Sequence, residues 1–135
     1  MKMKTKKEME KIVEEFVTHI CEGGDVHYLT RFEDDDQDFR IGFPYIKKNK
    51  TNKKYVVVFT SLEDIEKYKE MAHVPNAEFF DPFYLIGNKI NDILYFLVMF
   101  VAFGVEYVGI FKYDGSVTGY EIFSLIFDLL DLEKS

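Results

Sequence analysis

The longest uninterrupted apolar segment of the chain is Ile93–Phe103, which lies between Asp92 and Gly104. Its eleven residues are too few to cross a bilayer, which needs about 20. The segment therefore predicts a buried helix over Lys89–Phe103, with Asn88 as its N-cap. A helix that is apolar on nearly every side must be covered on every side. Either the rest of the domain covers it, or its outer side forms a protein interface such as that of a homodimer.

The length and composition of the chain predict one domain with an aromatic-rich core. Its 135 residues fit one ordinary domain and are too few for two. The 14 Phe and 9 Tyr make the chain 17% aromatic, and each buried ring removes about 150–250 Å² from water. We therefore expect a single domain over residues 1–135 that folds without a disulfide or a metal ion.

Charge and cysteine content limit the partners and the compartment. The net charge of −7 argues against nucleic acid as the main partner, because duplex binding needs a basic face that neutralises phosphates. The single Cys21 cannot form an intramolecular disulfide, which favours a reducing compartment. The N-terminal sequence is interrupted by glutamates and lacks the apolar stretch of a signal peptide. We therefore expect a cytoplasmic protein with no membrane partner.

A regular apolar stripe predicts the first helix. Thr5 and Glu8 have the spacing of a capping box at its start, and Gly23-Gly24 supplies a residue that can end it. The stripe has the 3.6-residue period of an amphipathic helix and consists of Met9, Ile12, Val13, Phe16, Val17 and Ile20.

Two further Thr-x-x-Glu sequences predict the starts of two more helices. Thr60 with Glu63 opens one of them, and Thr118 with Glu121 opens the last helix, Tyr120–Leu132. The predicted inner side of the first of these two helices comprises Leu62, Ile65, Tyr68 and Met71. The predicted inner side of the last helix comprises Tyr120, Phe123, Phe127 and Leu130, with Ile126 beside them.

Five segments have the composition of strands, namely residues 26–32, 39–46, 55–59, 78–86 and 106–112. The clearest is YVVVF, residues 55–59, whose contiguous apolar residues are typical of a strand covered on both faces. The lysine-rich turn before it predicts a hairpin with the preceding strand. The fold class that follows is α+β, a mixed and mostly antiparallel sheet of about five strands packed with about four helices.

The segment YVVVFTSLEDIEKY, residues 55–68, resembles the SseB family, the bacterial enhanced-serine-sensitivity proteins, in their N-terminal domain. In that family an apolar strand enters Phe-Thr and a short polar turn that begins a helix. The strand EYVGIFKYDG, from residue 106, corresponds to the family's glycine-containing strand and turn, although it ends in Tyr113-Asp114-Gly115 where the family often has Asn-Pro. The resemblance implies a small bacterial cytoplasmic α/β domain, and it implies no catalytic residues.

No motif predicts catalysis or a cofactor. His19, Cys21, Asp25 and His27 do not have the spacing of a zinc site, because the first two face different sides of a helix. Cys21 lies at a helix C-terminus, where the dipole disfavours a reactive thiolate, so we expect a buried structural thiol. The carboxylates of Glu33 to Asp36, with Asp38, lack the glycine of a calcium loop and predict a solvated loop, with weak calcium binding as the alternative.

Two groups of residues remain as a predicted interaction surface. The first is a positively charged turn formed by Lys47, Lys48, Lys50, Lys53 and Lys54, which suits an acidic partner or a solvated hairpin tip. The second is on the apolar helix and consists of Phe96, Met99, Phe100 and Phe103.

The sequence therefore predicts a non-catalytic domain of SseB-like type that acts through protein–protein contact, with a homodimer or an unknown protein as partner and no cofactor. Two alternatives stay open. The acidic charge suits an immunity or antitoxin protein that neutralises a basic toxin. A small-molecule pocket near His27, Tyr28 and Arg31 is the other.

Overall fold

The structure is a computed structural model that describes residues 4–30, 43–73 and 83–133. Four helices are found in these residues: α1 (Lys6–Cys21), α2 (Leu62–Ala72), α3 (Ile90–Ala102) and α4 (Ile122–Glu133). Six strands are found in them: β1 (Val26–Leu29), β2 (Ile46–Lys48), β3 (Lys54–Phe59), β4 (Phe83–Gly87), β5 (Tyr107–Phe111) and β6 (Val117–Glu121). The α+β prediction is confirmed, with one strand more than expected.

The strands form one mixed sheet in the order β4-β1-β3-β5-β6. Strand β2 pairs with residues 54–56 of β3, whereas β1 pairs with Val58 and Phe59 of the same strand. Strand β3 pairs in parallel with β5, and each of the other pairings is antiparallel. The predicted hairpin is confirmed by the pairing of β2 with β3. The strand predicted over residues 39–46 corresponds to β2, which begins at Ile46. Residues 39–42 of the predicted strand lie outside the described residues.

The two faces of the sheet carry two separate apolar cores. Val56 and Val58 of β3 belong to the larger core, which is completed by residues of α1, α3 and α4. Val57 and Phe59 alternate with them and belong to the smaller core with Ile65 and Tyr68 of α2. Because successive strand residues point to opposite faces, one central strand supports both cores. Helices α1, α3 and α4 therefore lie on one face of the sheet and α2 lies on the other.

The first helix agrees with its prediction at both ends. Thr5 and Glu8 form the capping box, and Gly23 follows the helix with a φ of 78°. Ile12, Phe16 and Ile20 are its buried residues. A positive φ of this kind favours glycine, which explains why the helix ends there.

The capping prediction for α2 is wrong by one residue. Ser61, and not Thr60, is the N-cap, and its hydroxyl accepts a hydrogen bond from the backbone N–H of Asp64 at 3.1 Å. The predicted inner side of α2 is partly wrong as well, because Leu62 and Met71 are exposed. The N-cap of α3 is Lys89, without a side-chain hydrogen bond, and not the predicted Asn88.

The prediction for the C-terminal part missed a strand. Thr118 and Glu121 do not form a capping box, because residues 117–121 are β6, paired with β5. The error has a physical origin, since a Thr-x-x-Glu spacing occurs equally in a strand, where the two side chains point to opposite faces. The predicted acidic loop, Glu33 to Asp36 with Asp38, lies outside the described residues.

The corrected cap of α2 can be tested with a pair of alanine variants. Replacing an N-cap serine by alanine removes one hydrogen bond to a free backbone N–H and costs about 1 kcal/mol. We therefore expect Ser61→Ala to lower the free energy of unfolding in urea by about 1 kcal/mol, and Thr60→Ala to change it by less than about 0.5 kcal/mol. A larger loss for Thr60→Ala than for Ser61→Ala would contradict this cap.

The buried hydroxyl of Thr118 gives a second test. Thr118 is buried in β6, and its Oγ1 has no hydrogen-bond partner among the described residues. Valine keeps the branched shape and removes the unsatisfied polar atom, so Thr118→Val should raise the free energy of unfolding by about 1 kcal/mol. Thr118→Ser, which keeps the hydroxyl and removes the methyl group, should lower it by about 1 kcal/mol. A destabilised valine variant would show that the hydroxyl is satisfied in solution.

Candidate binding surfaces

The five lysines of the predicted basic turn do not form one surface. Lys47 is paired with Tyr55 and shares its face of the sheet, whereas Lys48 is paired with Lys54 on the opposite face. Lys50 and Lys53 lie in the hairpin loop between the strands, and the Lys53 Nζ lies 3.5 Å from a carboxylate oxygen of Glu106. Because successive strand residues point to opposite faces, Lys47 lies on one face of the sheet and Lys48 and Lys54 lie on the other. A docking patch made of all five lysine side chains is therefore not supported.

The four residues proposed on the apolar helix differ widely in exposure. Phe100 has 0% of its surface exposed, so it belongs to the core and is not part of an interaction surface. Phe96 is half-buried between the rings of Tyr84 and Tyr95, at centroid distances of 5.8 and 5.7 Å. Met99 is half-buried too, and only Phe103 among the four is exposed.

The exposed side of α3 carries residues that the sequence prediction did not select. Tyr95 is 68% exposed and Val98 57%, while Ile93 and Leu97 are buried against the sheet. The helical period was the signal that could have found them, because Tyr95 and Val98 lie on the side of the helix opposite to Ile93, Leu97 and Phe100.

The prediction placed the wrong side of α4 in the core. Ile122, Leu125 and Leu129 are fully buried. Three residues that were expected to be inside are exposed on the opposite side, namely Phe123, Phe127 and Leu130. Helices α3 and α4 contact each other and cover the same face of the sheet. We call the residues Tyr95, Val98, Phe123, Phe127 and Leu130 the outer apolar face.

A hydrogen bond fixes α4 against β6 below this face. The hydroxyl of Tyr120 donates to a carboxylate oxygen of Asp128. Burial, together with this hydrogen bond, raises the pKa of Tyr120 to about 12. The carboxylate of Asp128 is therefore engaged in a contact within the molecule.

A groove lies on the other face of the sheet, beside α2. It encloses about 370 Å³ and is lined by Asn49, Tyr55, Tyr107, Gly109, Val117 and Gly119. We call these six residues the tyrosine groove. Helix α2 covers the end of the sheet that carries Phe59 and Phe111, and none of the helices in the described residues covers this part of the face. Gly109 is paired with Gly119 in the floor of the groove, and the side chains of Tyr55 and Val117 lie over Gly109.

The tyrosines near the groove lie close to one another. Burial, together with the neighbouring Tyr45, raises the pKa of Tyr55. Burial, together with the neighbouring Tyr45 and Tyr55, raises the pKa of Tyr68 to about 12. These phenols are therefore protonated at neutral pH and can donate hydrogen bonds.

The remaining candidates of the sequence do not converge on a site. No group of three or more His, Cys, Asp or Glu side chains suited to a metal ion occurs among residues 4–30, 43–73 and 83–133. Cys21 is exposed, so the expectation of a buried thiol is wrong, while the His19 ring contacts the Asp25 carbonyl oxygen at 2.7 Å. Tyr28 is fully buried, and Arg31 lies outside the described residues.

Comparisons with known proteins do not place the chain in a family. No family model matches the sequence, and no curated protein is similar to it. The resemblance to the SseB family therefore stays a prediction. In the part of the chain that the structure describes, no helix is long and apolar enough to span a membrane.

The packing of the groove floor can be tested at its two glycines. A Cβ atom on Gly109 would lie 2.7 Å from Val117 Cγ1 and 2.9 Å from Tyr55 Cδ2, whereas one on Gly119 would lie 3.8 Å from Tyr107 Cδ1. We expect Gly109→Ala to lower the free energy of unfolding by about 1–3 kcal/mol, because the ring and the methyl group must move. Gly119→Ala should change it by less than about 0.5 kcal/mol. Equal effects of the two substitutions on urea unfolding would contradict this geometry.

Proposed function

We propose that this protein is a non-catalytic interaction domain that forms a homodimer through its outer apolar face. The observation that carries the proposal is the exposure of large apolar side chains on two adjacent helices, led by Tyr95 and Phe127, which are 68% and 62% exposed. Single exposed apolar residues are ordinary on protein surfaces, but a contiguous group of them marks an interaction site.

The charge distribution favours a second copy of the chain as the partner. Each copy carries a net charge of −7, so two copies repel each other over most of their surfaces. The outer side of α3 is an exception, since residues 93–105 contain no charged side chain. Around a two-fold axis the same patch meets itself, so an uncharged apolar patch is complementary to its own copy. A basic toxin would be matched by carboxylates and not by this face.

The carboxylates near the face occupy the positions expected for the rim of an interface. Asp92 lies in the first turn of α3, and the exposed Asp131 lies in the last part of α4. Interfaces typically have an apolar centre and a polar rim. The arrangement supports contact between the central parts of the helices, at Val98 and Phe127. A bacterial cytoplasmic role of SseB-like type is compatible with such a dimer and is part of the proposal.

The dimer can be tested by light scattering after size-exclusion chromatography. We expect the molar mass measured by light scattering for the unmodified protein at micromolar concentration to be twice that of one chain. Phe127→Asp places a charge at the centre of the face and should raise the dissociation constant by about 30-fold or more, which corresponds to about 2 kcal/mol for a central residue. Val98→Asp should act in the same direction.

A matched control is available on the opposite side of the molecule. Leu62 is 71% exposed on α2, so Leu62→Asp introduces the same charge outside the outer apolar face. We expect this variant to remain a dimer. A strictly monomeric unmodified chain at high concentration would overturn the proposal, as would equal dissociation of the Leu62→Asp and Phe127→Asp variants.

A further inference from the structure

Strand β6 forms one edge of the sheet. It is the last strand in the order β4-β1-β3-β5-β6, so none of the strands in the described residues pairs with its outer side. Its pairing with β5 is regular over five consecutive residue pairs. A regular edge strand presents a row of backbone N–H and C=O groups, and an extended segment of another chain can pair with such a row.

The hydrogen bonds at the two ends of the β5–β6 ladder show which residues of β6 bond to β5. At one end the N–H of Ile122 donates to the carbonyl oxygen of Glu106 at 3.0 Å. At the other end the N–H of Lys112 donates to the carbonyl oxygen of Ser116 at 3.0 Å. Because hydrogen-bonded pairs alternate with non-hydrogen-bonded pairs in an antiparallel ladder, the even-numbered residues of β6 bond to β5.

The odd-numbered residues of β6 therefore direct their backbone groups outward, away from β5. These residues are Val117, Gly119 and Glu121, and all three are exposed. They share the face of the sheet that carries Tyr107, which is paired with Glu121. The nearest atom to a Cβ on Gly119 would be Tyr107 Cδ1 at 3.8 Å, so the space beside Gly119 accepts a side chain of an added strand.

The two edges of the sheet differ in their protection against such pairing. Strand β4, at the other edge, pairs with β1 through a register shift between Val26 and His27. Irregular pairing twists an edge and disfavours the addition of another strand. Strand β6 contains no Lys or Pro, and its pairing with β5 has no register shift. The β6 edge is therefore the more suitable of the two for an added strand.

Charge and side-chain size define the segment that fits this edge. Glu121 is the one charged residue of β6, and the whole chain has a net charge of −7, so a basic residue opposite Glu121 is favoured. An aromatic residue fits opposite Gly119, where its ring can contact Tyr107, and an apolar residue fits opposite Val117. A second copy of the chain is less suitable, because its β6 would bring another glutamate and no cation.

We propose that the β6 edge binds an extended basic segment of a partner protein as an additional antiparallel strand. The segment has the pattern basic-x-aromatic-x-apolar, and these three residues lie opposite Glu121, Gly119 and Val117. The aromatic residue donates its backbone N–H to the carbonyl oxygen of Gly119 and accepts a hydrogen bond from the N–H of Gly119. This surface is separate from the outer apolar face, whose side chains belong to α3 and α4.

The added strand can be tested by NMR titration with the peptide acetyl-Thr-Arg-Thr-Phe-Thr-Val-Thr-amide. We expect saturable shifts of the backbone amide signals of Val117 and Gly119. Methylation of the backbone nitrogen of the peptide's Phe removes the N–H that donates to Gly119, so it should lower the affinity at least about tenfold. Methylation of the Thr that follows this Phe is the matched control. Its N–H points away from β6, so the affinity should change by less than about twofold.

A charge exchange tests the basic position. Glu121→Lys should weaken binding of the Arg peptide and strengthen binding of the peptide that has Glu in place of Arg. Glu15→Lys makes the same charge change at an exposed position of α1, and it should leave the preference for the Arg peptide unchanged. The Phe127→Asp variant should bind the Arg peptide with unchanged affinity, which separates this site from the dimer face.

Three results would overturn the proposal. One is the absence of saturable shifts at Val117 and Gly119 with the Arg peptide. Another is an equal loss of affinity for the two methylated peptides, which would show that binding does not depend on the hydrogen bond to Gly119. The third is a set of shifts at Gly119 that depends on protein concentration without peptide, which would identify a second copy of the chain as the occupant of this edge.

Discussion

The parallel pairing of β3 with β5 is the constraint on which the rest of the fold depends. Residues Val56–Phe59 of β3 and Val108–Phe111 of β5 are buried on both faces of the sheet. Two faces must therefore be covered by only four helices. Three of them cover one face and α2 covers part of the other. The described helices therefore leave uncovered the outer side of the three-helix layer and the part of the sheet that α2 does not reach.

The two candidate surfaces follow from this division and differ in chemistry. The outer apolar face is uncharged at its centre and made of side chains that are exposed in the described chain. The tyrosine groove is concave and has the amide of Asn49 and the rings of Tyr55 and Tyr107 in its lining. The first has the composition of a protein interface.

The sequence predicted the fold class, the first helix and the central strands, because each has a strong local signal. YVVVF could only be a strand covered on both faces, and Thr5 with Glu8 marked α1 correctly. The side of α4 could not be chosen from its sequence, since IFSLIF is apolar at almost every position and its period does not distinguish Ile122 from Phe123. Strand β6 was missed because Thr118 and Glu121 have the spacing of a capping box and Gly119 weakens the strand composition. The groove was unpredictable for another reason, since it depends on the pairing of Gly109 with Gly119, ten residues apart, and on the extent of α2.

The central claim is that a second copy covers the outer apolar face. The most direct measurement is an isotope-filtered NOE experiment on a mixture of labelled and unlabelled chains, which detects contacts between copies alone. A dimer formed through this face should give cross-peaks between Val98 methyl groups of one copy and the rings of Tyr95, Phe123 or Phe127 of the other. Contacts between copies that involve β6 or α2, without any at Val98, would contradict it.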